Sequence, residues 1–150
     1  MKITFALALN NEGVFEKRHF GDTDKFAIYT YEKNNLLFKE ELPNTFKTMD
    51  EVQEHGSKKK GNAIISFLKE KGVSVLVSKQ FGRNIKMVNQ HFIPVIIAED
   101  DPNQAVEVLQ KHMNWFEDEL QSRKENYMLF HIKNGVLKMH IKKDCVQKKV

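Results

Sequence analysis

The chain has 150 residues, 41% of them hydrophobic and 11 of them Phe, which is enough for one core, since a domain of this length hides about 70% of its unfolded surface. Its 24 basic and 20 acidic residues leave +4, but residues 142–150 hold four Lys against one Asp, so the body is near neutral and the pI of 9.1 is weak support for a nucleic-acid partner. A lone Cys145 excludes an internal disulfide or Cys-rich zinc site, the N-terminal apolar stretch is too short for a signal sequence, and no run approaches the roughly 20 residues of a membrane span, so a soluble protein of the reducing cytoplasm is expected.

Ile3 to Leu9 is apolar except for Thr4, the pattern of a central strand covered on both faces. The turn-rich loop from Asn11 to Asp24 follows, and it carries His19-Phe20-Gly21-Asp22. Phe26 to Glu32 and Leu36 to Leu42 flank Lys33-Asn34-Asn35 and read as an antiparallel hairpin. Pro43 to Lys60 reads as a polar crossover, with a turn of helix over Met49 to Glu54 and a solvated, mobile lysine run at Lys58-Lys59-Lys60. Gly56 to Asn62 has the glycine spacing of a phosphate loop, but Asn62 stands in place of the required Lys and no strand precedes it, so that reading fails.

Ile64, Ile65, Phe67 and Leu68 form a helical stripe that ends at Gly72 and leads into the short strand Val73 to Val77. Gln80-Phe81-Gly82-Arg83-Asn84 then turns into a helix from about Arg83 to His91. Its amides and Arg83 would favour an anion, although helix starts of this kind more often bind nothing. Ile93 to Ala98 is a strand, and Pro94 argues for an edge position. Asp101-Pro102-Asn103-Gln104 is a capping box, opening a helix of about five turns whose seam is Val106, Leu109, Met113, Phe116 and Leu120. Asn134-Gly135 predicts a terminal hairpin from Tyr127 to Lys142 that pairs Ile132 with Leu137, Phe130 with Met139 and Met128 with Ile141, an apolar face that must cover the body or a second copy. His131 and His140 fall diagonally on its polar face, where a surface pair is favoured over a metal site.

Right-handed crossovers arrange the first five strands as a mixed sheet of order 3-2-1-4-5 in an α/β fold with flanking helices. Ligands collect in such sheets where successive connections leave in opposite directions, so the loops carrying His19 and Gly82 are expected to meet. His19 is then a candidate metal ligand or anion donor, with a second histidine, His55, at the far end of the crossover.

The ordered set His19-Phe20-Gly21, Asp24 to Tyr29, His55-Gly56, Lys71-Gly72-Val73 and Phe81-Gly82-Arg83 resembles the dinitrogenase iron-molybdenum cofactor biosynthesis family, the NifX-like and NifB C-terminal-like domains, over residues 1–113. The resemblance implies a ribonuclease H-like fold, no catalysis, and binding or carriage of an iron-sulfur-containing cluster or precursor passed between a donor and an acceptor protein. By position, it makes His19 and His55 candidate metal contacts, with Phe20, Gly21, Gly82, Arg83 and Asn84 lining the site. Residues 114–150 would be an extension of helix end, hairpin and basic tail, packed on the same domain or on a second subunit. Two rival classes stand beside this one. A ribonuclease H-type nuclease needs carboxylates around paired metal ions, and the strands Ile3 to Leu9 and Val73 to Val77 carry none. The other rival is a cofactor-free interaction module that forms a homodimer through the terminal helix and hairpin.

Overall fold

The computed structural model of the chain describes residues 2–49 and 54–140. Strand β1 (Ile3–Leu9) is buried along its whole length, as a run that is apolar but for Thr4 requires. It pairs antiparallel with β2 (Lys25–Glu32) and parallel with β4 (Val75–Ser78). Strand β3 (Asn35–Pro43) returns along β2 through Lys33 and Asn34, both at positive φ, as a two-residue hairpin turn demands.

The order 3-2-1-4-5 is present, but the sheet continues beyond it. Among the described residues it has seven strands in the order β3-β2-β1-β4-β5-β6-β7, where β5 is Ile93–Ile97, β6 Leu129–Lys133 and β7 Val136–His140. The terminal hairpin therefore extends the sheet and is not a separate cover. Ile132 pairs with Leu137 and Phe130 with Met139 as expected, while Ile141, proposed opposite Met128, lies outside the described residues.

This corrects the edge position given to β5, which lies between β4 and β6. Pro94 is tolerated there for a local reason. Ile93 donates to Ser74 O on the β4 side, so the nitrogen of Pro94 faces β6, and pairing with β6 begins only at Val95 with Phe130.

The two sheet faces carry separate cores. Phe5 and Leu7 of β1, with Val75, Val77, Ile93 and Val95, pack beneath α3 (Pro102–Lys111) and α4 (Met113–Ser122), where Phe116 lies edge-on to Phe5 at 5.5 Å and 5.1 Å from Phe130. Ala6 and Ala8 point the other way, toward Ile64 and Leu68 of α1 (Glu54–Glu70) and toward Phe20, Phe26 and Phe81.

Three helix expectations change. The seam helix is broken at His112 (φ −118°, ψ 27°), whose N–H bonds to Leu109 O, three residues back. The break changes the buried set to Ala105, Val108 and Leu109 in α3 and Met113, Phe116 and Glu119 in α4, leaving Val106 and Leu120 only partly covered. Helix α1 begins at Glu54, so residues expected in a crossover loop are helical; of the turn expected over Met49 to Glu54, residues 50–53 lie outside the described ones. The helix expected over Arg83 to His91 reduces to a 3-10 turn, Gly82–Asn84, and a four-residue α2, Ile85–Val88. The end of α4 is fastened to β6 by buried Glu119, which accepts from Arg123 Nη1 at 2.6 Å and from Met128 N at 2.7 Å.

Candidate functional site

The parallel pairing of β1 and β4 brings the two loops at their carboxyl ends side by side. They are joined by hydrogen bonds. Phe20 N donates to Gln80 O at 3.1 Å, Gln80 Nε2 donates to Lys17 O at 2.9 Å, and His19 and Gln80 form a short parallel bridge. Ser78 Oγ holds the second loop by donating to Gln80 O at 2.9 Å. Below these bonds the buried rings of Phe20 and Phe81 pack with centroids 5.8 Å apart.

His19 caps a 3-10 turn, Phe20–Asp22, and its exposed ring lies over Gly82. A Cβ built on Gly82 would stand 3.0 Å from His19 Cδ2, Cε1 and Nε2. The backbone there is at φ +62°, so glycine is required both by conformation and by the close approach of the ring. Among the described residues the His19 ring has no hydrogen-bond partner, which leaves its nitrogens available to a ligand.

The back of the turn is tied down from several directions. Asn44 Nδ2 donates to Gly21 O at 3.0 Å and Thr23 O at 2.9 Å, and Thr23 Oγ1 donates to Leu9 O at 2.6 Å. Asp24 pairs with Lys47 and accepts from Asn11 N at 2.8 Å. Lys60 Nζ donates to Asp22 Oδ1 at 2.9 Å and Lys47 O at 3.0 Å. This corrects the expected solvated, mobile loop at the lysine run: all three lysines are helical, and although Lys58 and Lys59 are exposed, the Lys60 side chain is only 2% exposed. Lys60 shares a helical stripe with Ile64 and Leu68, four and eight residues on, but the partners that let its charge be buried, Asp22 and Lys47 O, lie far from it in the sequence.

Of the other residues singled out, Arg83 is exposed and Asn84 half-buried on the 3-10 turn; with α2 only four residues long, any helix-dipole contribution there is small. Helix α1 touches this turn at Gly61, where a Cβ would stand 3.0 Å from Asn84 Nδ2. His55 is in the first turn of α1, about 9 Å of helix before Gly61, and its side chain lies outside the described residues. Among the described residues no three His, Cys, Asp or Glu side chains are grouped to hold a metal ion. A groove of about 500 Å³ opens elsewhere, over Ile96, Ala98, His131, Val136 and Lys138.

Two carboxylates in the loop are held below their ordinary values. The hydrogen bond from Lys47 lowers Asp24 from 3.8, and that from Arg18 lowers Glu16 from 4.5. Folded-state pKa values below the unfolded ones give stability that is complete above about pH 4.5 and drains as pH falls through the folded values. Denaturant midpoints measured down from neutrality should therefore fall below pH 4.5, and Asp24→Asn should flatten that slope. Gly82→Ala should cost about 1–2 kcal/mol in denaturant titrations, from the left-handed backbone alone, and should move the His19 ring resonances. Gly13→Ala, also at positive φ but with nothing within 4 Å of its Cβ, should destabilise without moving them.

Among the described residues no helix is long and apolar enough to cross a membrane. A search of curated proteins finds no match to the chain. A family model described as dinitrogenase iron-molybdenum cofactor matches residues 1–113, the segment that contains every loop of the site, and its members are generally accessory, non-catalytic proteins. With three quarters of its length matched, the chain belongs to the dinitrogenase iron-molybdenum cofactor family.

Proposed function

We propose that the protein binds or carries an iron-sulfur-containing metallocofactor, or a precursor of one, as cargo and without chemistry of its own, receiving it from a donor protein and passing it to an acceptor. The observation that carries this reading is the exposed His19 ring, held over Gly82 by two hydrogen-bonded loops in a chain of this family. Imidazole is a good ligand for iron, and a ring already oriented by its backbone loses little freedom on binding. Arg83, exposed on the facing turn, adds a cation suited to an anionic cluster.

In this reading His19 and His55 are the metal contacts, Gly82, Arg83 and Asn84 form the facing wall, and the buried Phe20 and Gly21 support the His19 turn from behind. Residues 1–113 are the cofactor-binding unit, with a ribonuclease H-like fold, and residues 114–150 are an extension of it. Anaerobic loading with ferrous iron and sulfide, or with a preformed cluster, should give a visible absorption band that His19→Ala and His55→Ala each weaken. The absence of a band under every loading condition would sink the carrier reading.

A second reading, a cofactor-free module that self-associates through the terminal hairpin, is favoured by one observation. Val136 and Met139, on the outermost strand β7, remain 50% and 40% exposed. If this edge is the interface, Met139→Glu should convert a dimer to a monomer in light scattering; an unchanged mass would remove the edge from consideration.

A further inference from the structure

Lys60 is buried at a cost that its contribution to stability does not explain. Lysine is almost never fully buried, and an apolar side chain of similar volume in place of a buried ion-pair member and its partner is often neutral or stabilising. Its placement suggests another role. The Lys60 stem passes under Gly21, where a Cβ would stand 3.4 Å from Lys60 Cε, and the ammonium reaches Asp22, whose side chain is still 26% exposed. Asp22 ends the 3-10 turn, and its own N–H donates to His19 O at 2.9 Å. A bond on the Asp22 carboxylate thus constrains the turn that sets the His19 backbone. The same ammonium holds Lys47 O, tying in the segment that follows β3. Lys60 also belongs to the helix that carries His55, five residues and about 7.5 Å of helix earlier.

We propose that Lys60 is a positioning residue for the His19 site: by joining α1 to the Phe20–Asp22 turn, it sets where the His19 ring stands relative to Gly82 and to the start of α1. The proposal rests on the reading of His19 as a cofactor contact, and its test separates the two. In the full chain, Lys60→Met should remain folded and should shift the His19 ring and Gly82 amide resonances in NMR spectra, while the amides of Lys33 and Asn34, in the hairpin turn at the opposite end of the sheet, stay in place. The same variant should weaken anaerobic loading with ferrous iron and sulfide by about 10- to 100-fold, the usual effect of removing a group that orients a metal ligand. A folded Lys60→Met protein with unmoved His19 and Gly82 resonances overturns the proposal. If Lys60→Met does not fold, Asp22→Ala removes the same bond from the more exposed partner and decides the matter by the same resonances. If the wild-type chain never loads, the carrier reading fails, while the resonances still report whether Lys60 positions His19.

Discussion

The parallel pairing of β1 with β4, Phe5 beside Val75 and Leu7 beside Val77, is the constraint on which the candidate site depends. Two adjacent parallel strands end on the same side of a sheet, so the chain leaving each must pass the other. Here the passing segments are joined by main-chain and side-chain bonds through Gln80, and His19 is delivered onto Gly82. The pairing also explains why β1 carries no acidic residue. Its apolar side chains are committed to one of two cores, Phe5 and Leu7 toward α3 and α4, Ala6 and Ala8 toward α1, while buried Thr4 meets the hydroxyl of Thr30 on β2.

Beneath the His19 turn, polar groups do the work that side-chain packing does elsewhere. A loop leaving a sheet has backbone groups with no strand partner, and burying them without one is costly. Asn44 satisfies two carbonyls of the turn, Thr23 satisfies the last carbonyl of β1, and Lys60 and Lys47 hold the two aspartates that flank Thr23. The result is a turn fixed from behind with a histidine free in front, an arrangement that favours ligand binding because the ordering cost is met during folding.

The C-terminal third contributes on the opposite face. Once β6 has paired with β5, Phe130 and Ile132 complete the core under α4, and the break at His112 lets α3 and α4 bury different stripes. Glu119 then closes the connection between α4 and β6. The family match ends at residue 113, at the start of α4, so this packing is built largely from residues that follow the matched segment.

Local patterns carried much of this fold. The apolar run of β1, the turn residues of both hairpins and the capping box at Asp101 each state a backbone preference that neighbouring residues suffice to express, and the crossover rule then ordered the first five strands. The meeting of the His19 and Gly82 loops followed from that order. What the sequence did not settle depended on partners far away in the chain. Pro94 could sit inside the sheet only because β6 starts pairing one residue later, and the seam helix broke at His112 into two helices that each bury their own stripe against one core. Lys60 could be buried only because Asp22 and Lys47 O, 38 and 13 residues distant, were brought to meet its ammonium. The chain's own residues determined a central strand, two hairpins and a histidine loop; tertiary structure alone decided which charge lies beneath that loop, since a charge enters a core only where its partner is already in place.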